Sequence, residues 1–203
     1  MCDGHNKRYK HFSPTLGCSM TFYIYSHPSP SPSHKFPVLY WLHGLTCTDE
    51  NFIAKSGAQR VASAEGVALI APDTSPRGLN VEGEADSWDL GVGAGFYLNA
   101  TQEKWKNWRM YDYVVKELPK LLIDHFPQLD TSKASIFGHS MGGHGMDDKF
   151  LHDQLMPHKF EMACRSVDAP LLLRLQPGYD HSYFFIATFI DDHIGHHSQA
   201  LRL

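Results

Sequence analysis

The residues with the clearest chemical potential lie in SIFGHSMGGHGMDDKF, positions 135–150. Ser140 sits in a Gly-x-Ser-x-Gly pattern directly after an apolar run. Between a strand and a helix, such a pattern makes a sharp, strained turn that lifts the serine hydroxyl above the edge of a sheet. The hydroxyl needs a base within hydrogen-bond reach, and the base needs an orienting acid. On an elbow of this kind the chain order is serine, acid, histidine. His181 fits that order: it follows the apolar run APLLLRLQ by a short Pro-Gly loop and opens the last helical segment. His139 and His144 are closer in sequence, but residues beside the serine are expected to point away from its hydroxyl. An acidic pair, Asp147-Asp148, comes very soon after Ser140. The developing oxyanion needs two donors. The amide of Met141 is one; Leu45, in the turn WLHGLTC (Trp41–Cys47), is the candidate for the other, with Gly44 allowing close approach.

These groups need a frame. MTFYIY (Met20–Tyr25) alternates and is rich in aromatic residues, so it predicts a strand. PVLYWL (Pro37–Leu42) and VALIAP (Val67–Pro72) are continuous apolar runs, the pattern of strands buried on both faces of a parallel sheet. Positions 47–66 have helical periodicity ending at Gly66, and a long Gly-rich stretch covers Asp73–Leu98. Trp105–Phe126 has helical spacing despite Pro119. KASIFG predicts the strand that delivers the elbow. Beyond the acidic pair come a helix (151–167), a strand (169–176) and a final helix beginning at His181. Strands alternating with helices predict an α/β fold with a mostly parallel sheet, and loops on its carboxyl edge should hold the site. A chain of 203 residues suits one domain, 1–203.

The bulk composition excludes several classes. A formal net charge of -4 offers no basic footprint for nucleic acid or an anionic membrane. No apolar run reaches the eighteen or so residues of a membrane span, and the polar, basic N-terminus has no secretory core. The four cysteines show no C-x-x-C spacing, which predicts reduced thiols and a cytoplasmic setting. Fourteen histidines invite a metal reading, with His193 and His197 four apart in DDHIGHH. No third ligand is evident, so a solvated helix is the expectation and no metal is assigned.

LYWLHGLTCTDENF, APDTSPRGLNVEGEADSWD, GVGAGFY, GHSMGGHG, DQLMPHKF and LQPGYDHSYFFIATFIDDHIGHH together resemble the S-formylglutathione hydrolase family, also called esterase D. The resemblance runs almost end to end. It implies an α/β-hydrolase fold and a cofactor-free serine esterase that hydrolyses S-formylglutathione and simple esters. The implied setting is cytoplasmic formaldehyde detoxification, commonly as a homodimer. By the same resemblance Ser140 is the nucleophile, His181 the base and Asp148 the acid, with Leu45 and Met141 as oxyanion donors. Cys47 matches a cysteine that makes the family sensitive to thiol reagents, plain packing being the competing reading. Trp88 matches a residue of the active-site loop.

Two departures stand out. The family pattern reads WLSGLTC, and His43 here takes the place of the serine, either tuning the site or being tolerated. After GHSMGGHG the family continues through a helix, a strand, a lobe insertion and another strand before its acid. Here Gly145 and Met146 join the two ends directly, so the fold is expected to lack about two strands and the helices between them. A parallel crossover takes at least about 10–12 residues with its helix, and Asp148 follows Ser140 by only eight. A continuing helix, rising about 1.5 Å per residue, would carry Asp148 roughly 12 Å from the elbow. The rescue open to the chain is direct pairing of KASIFG with APLLLRLQ, which would still bring His181 over Ser140. The alternative is a catalytically impaired or inactive isoform.

Overall fold

In the computed structural model, residues 2–28, 31, 33–142, 157–174 and 176–202 are described. Five strands form one mixed sheet in the order β1-β2-β4-β3-β5. They are β1 (His5–Ser13), β2 (Cys18–Ser26), β3 (Phe36–Leu42), β4 (Ala68–Pro72) and β5 (Leu129–Gly138). β1 pairs with β2 and β2 with β4 antiparallel, whereas β4, β3 and β5 run parallel. The parallel half carries the predicted elbow.

The sequence explains the layers. Successive residues of β3 point to opposite faces: Val38, Tyr40 and Leu42 join one core, Leu39 and Trp41 the other. The first core is closed by a helical run on one side of the sheet. In it α3 (Met110–Asp112) passes through a π-helical turn (Tyr113–Glu117) into α4 (Leu118–His125), and Met110, Tyr113, Leu118 and Leu122 are buried. The expected helix over Trp105–Phe126 therefore begins only at Met110. Pro119 cannot donate to the carbonyl of Val115, and the wider π turn just before it absorbs the missing bond. The second core is closed by α1 (Glu50–Lys55), α2 (Ala58–Glu65) and α6 (Tyr183–Arg202), through Phe52, Val61, Ile186, Ile190 and Ile194. The single helical stretch expected over 47–66 is split at Gly57, whose φ of +69° is left-handed.

Three expectations need correction, and one strand was not anticipated at all. The polar segment that becomes β1 forms an edge strand, where Lys7, Arg8 and Lys10 can stay in water. The predicted strand 169–176 does not form: its described residues have no regular structure, and Leu172 is 70% exposed. Among the described residues β5 pairs only with β3, and Ile136 in β5 is 51% exposed. Direct pairing of KASIFG with APLLLRLQ is therefore overturned. An apolar run becomes a buried strand only where a neighbour and two covering layers exist, and the ten-residue α5 (Pro157–Ser166) leads to none. The last helix begins at Tyr183, leaving His181 in the loop before it.

Candidate functional site

β5 ends at Gly138, and the chain reverses through a 3₁₀ turn, Ser140–Gly142. Ser140 has φ +57°, a left-handed conformation costly for a residue with a side chain. Hydrogen bonds hold the turn: the His139 amide donates to the Leu42 carbonyl at 3.1 Å, and the Gly142 amide to the His139 carbonyl at 3.0 Å. The two glycines of the motif are sterically required. A Cβ on Gly138 would lie 2.2 Å from the Gly142 carbonyl oxygen, and one on Gly142 would lie 2.1 Å from that of Leu42.

The turn after β3 faces this elbow. A Cβ on Gly44 would lie 3.0 Å from the Ser140 Cβ. Leu45 follows Gly44, half-buried. The loop 73–97 braces the turn from behind. The Thr46 amide donates to the Gly93 carbonyl at 2.9 Å, and the Tyr97 hydroxyl to the His43 carbonyl at 3.1 Å. The Thr74 hydroxyl donates to the Cys47 carbonyl at 2.7 Å. Arg77, paired with Asp73 at 3.0 Å, donates to the same carbonyl at 3.2 Å. Trp88 is exposed. Its backbone abuts Gly93, where a Cβ would meet the Trp88 carbonyl oxygen at 2.1 Å, so it belongs to the same braced loop. Met141, next to Ser140, packs against the first core.

His181 also reaches the elbow. Its ring lies 4.3 Å, centroid to centroid, from that of His139, and His139 lies 6.3 Å from Tyr183. His139 thus points at His181. The Tyr183 phenol and the Cys47 thiol are close enough to shift each other's titration, and the Lys55 ammonium sits 5.4 Å over the Tyr183 ring. Burial pushes the Cys47 thiol up from its ordinary pKa, while Tyr183 and Lys55 pull it back. Burial, with the neighbouring Cys47, drives the Tyr183 phenol well above its usual range. Sequence reasoning missed Tyr183 and the His139–His181 ring contact. The available signals were the aromatic run opening the last helix and the histidine inside the elbow motif.

The structure therefore brings Ser140, Met141, Gly44, Leu45, Cys47 and His181 to one end of the parallel strands, with Trp88 on the bracing loop. Asp148 lies outside the described residues. Among the described residues no group of three His, Cys, Asp or Glu side chains could hold a metal ion, and no helix is long and apolar enough to cross a membrane. His197 is hydrogen-bonded at 2.7 Å to Ser135. Its pKa is pushed down to about 4, first by burial and then by His196 and His193.

Residues 13–146 match the family model "Putative esterase". The chain is 60% identical to S-formylglutathione hydrolase of Arabidopsis thaliana, covering all of this chain (100%) and 96% of that protein. It is 43% identical to the protein of the same name from Mus musculus, covering 98% and 95%. A solved S-formylglutathione hydrolase from Agrobacterium tumefaciens superposes with a TM-score of 0.91 at 35% identity, covering 99% of this chain and 97% of that one. The alignment to the plant protein runs over 272 positions against 203 residues here, so an internal segment of the relative has no counterpart. The family match itself stops at residue 146, beside the Gly145–Met146 junction.

Proposed function

The chain belongs to the S-formylglutathione hydrolases, and from that membership we propose that it hydrolyses the thioester S-formylglutathione to formate and glutathione. The observation that carries the reading is the elbow: Ser140 held at φ +57° with Gly44 packed against its Cβ and the His181 ring in tilted contact with that of His139.

In this mechanism Ser140 Oγ attacks the formyl carbon while His181 takes its proton. The amides of Leu45 and Met141 receive the oxyanion. The tetrahedral intermediate collapses with cleavage of the C–S bond. A thiolate leaves with little help, since a free thiol has a pKa of about 8.5; His181 returns the proton to the departing glutathione. Water, deprotonated by His181, then attacks the formyl-serine, and formate leaves as Ser140 recovers its proton. Asp148 is proposed as the carboxylate that orients His181. Cys47 and Trp88 are proposed to border the substrate. The same reading takes simple carboxylic esters as further substrates, a homodimer as the assembly, and cytoplasmic formaldehyde detoxification as the setting.

The test is S-formylglutathione hydrolysis by the purified chain beside Ser140→Ala, with fluorophosphonate labelling of both. Turnover and labelling that vanish in Ser140→Ala support the proposal. A wild-type chain that neither labels nor outpaces Ser140→Ala overturns it, and the chain is then the impaired form of its family.

A further inference from the structure

We infer that His43 is a positioning residue, wedging the turn that carries Gly44 and Leu45 against the elbow by the shape of its ring. This rests on the reading of that turn as the oxyanion site of Ser140. His43 follows the last residue of β3, and its side chain is 0% exposed. The ring meets Trp41 edge-on at 6.2 Å and 90°, and Phe52 at 6.4 Å and 87°. Both neighbours belong to the core beneath α6. The carbonyl of the same residue turns the other way and accepts the Tyr97 hydroxyl at 3.1 Å, and Tyr97 belongs to the opposite core. A single residue is thus gripped from both layers of the fold, and the next residue is the glycine packed on Ser140.

Shape, not hydrogen bonding, holds the ring. Neither ring nitrogen has a hydrogen-bond partner among the described residues, an arrangement that costs stability when a polar atom is buried. Burial, reinforced by His139, also pushes the imidazole pKa down to about 3, so it adds no charge beneath the elbow. The grip on the carbonyl side comes with strain of its own. Phe96 and Tyr97 are consecutive left-handed residues with side chains, at φ +53° and +52°. Such conformations persist only where the surroundings over-determine them, and here the result is a phenol reaching His43.

The test compares wild type with His43→Phe, which keeps an aromatic ring without nitrogens, and His43→Ala, which removes the wedge without restoring the serine of the family pattern. Val61→Ala, a cavity in the same core away from the turn, controls for general loss of stability. Amide hydrogen exchange over 43–46 is read alongside kcat and KM for S-formylglutathione. His43→Ala is expected to exchange about tenfold faster there and to lose about tenfold in kcat at unchanged KM, since small displacements of a reacting geometry are costly. His43→Phe is expected to match wild type within about twofold in both, and Val61→Ala to leave the 43–46 amides protected. Wild-type exchange in His43→Ala overturns the inference. So does His43→Phe behaving like His43→Ala, which would place the effect in the nitrogens. Failure of the catalytic reading is separable: a wild type that neither turns over nor labels, yet keeps this exchange pattern, sinks the nucleophile and spares the wedge.

Discussion

Gly44→Ala puts the proposed site under the most direct strain. Gly44 lies outside the left-handed region, so alanine is allowed by the backbone and the added methyl is the only perturbation. That methyl would sit 3.0 Å from the Ser140 Cβ, 3.4 Å from the His139 carbonyl oxygen and 3.5 Å from His139 Nδ1. Ordinary carbon contacts are about 3.5–4.0 Å, so the elbow or the turn must give by several tenths of an ångström. Overpacking of this kind costs about 1–3 kcal/mol. Ser140 is the nearest neighbour and already holds a strained φ, so much of the shift falls on Ser140. A displacement of about 1 Å costs about 10²-fold in rate. A few tenths should therefore cost about tenfold in kcat, with KM little changed. Gly57→Ala is the matched control: no atom lies within 4 Å of its added Cβ, but its φ is +69°. It should lose about 1 kcal/mol of stability and no activity. Steady-state hydrolysis of S-formylglutathione and thermal melts of the two variants decide the matter. If Gly44→Ala keeps kcat within about twofold, or Gly57→Ala loses as much, the packing of the turn on Ser140 does not govern the chemistry.

Other expectations follow from the same structure. Asp148→Asn should lower kcat by about 10⁴ if this carboxylate orients His181; an unchanged kcat rules it out as the acid. Ile190→Ala, which empties a site 2% exposed under α6, should cost about 2–5 kcal/mol in chemical denaturation, and a loss below about 1 kcal/mol contradicts the packing described. Tyr183→Phe removes the hydroxyl that favours the Cys47 thiolate, so alkylation of Cys47 by iodoacetamide at mildly alkaline pH should slow, and equal or faster labelling refutes that influence. Acid should destabilise the protein through its buried imidazoles. Burial pushes His43 down to about 3 and His197 to about 4, whereas in the unfolded chain histidine titrates near about 6.5. The unfolded state then binds more protons across that window, so stability is level above pH 6.5 and falls as pH drops toward 4 and below. Melts across that range should show a falling Tm, shallower in His43→Phe; a parallel fall in that variant removes His43 from the cause.

Much of this was readable from residue types. β3 and β4 announce themselves because both faces are covered, so every position could be apolar. Ser140 was legible because Gly138 and Gly142 are demanded by backbone contacts with Leu42 and with each other. β1 was not legible: one side of an edge strand faces water, and its register comes from pairing with β2 rather than from its own pattern. The opposite error arose at 169–176, where an apolar run looked like a strand. Strandhood depends on a neighbour to pair with, and that information is not carried by the run itself. The tilted ring contact of His139 with His181 and the reach of Tyr97 to His43 are tertiary contacts between distant segments, invisible to any local rule.

That missing strand sharpens the question of what keeps His181 at the elbow. A strand leading into the Pro-Gly loop would aim the histidine directly, but residues 169–174 supply none. The answer lies downstream. His181 precedes α6 by two residues, and α6 is docked independently of the strand. Ile186, Ile190 and Ile194 are buried against the core that holds Trp41 and Phe52. Glu65 of α2 accepts from Ser198 and Arg202, both at 2.6 Å, Arg60 pairs with Asp191, and His197 reaches Ser135 of β5. The surface ion pairs add little by themselves; the three isoleucines, each worth about 1.5–3 kcal/mol when fully buried, do the holding. Tyr183, in the first turn of α6, then sets the helix start beside Cys47, in the segment that follows β3. The placement of His181 is therefore inherited from helix docking on the second core, the part of the fold whose sequence lies on both sides of the lost segment and survives it.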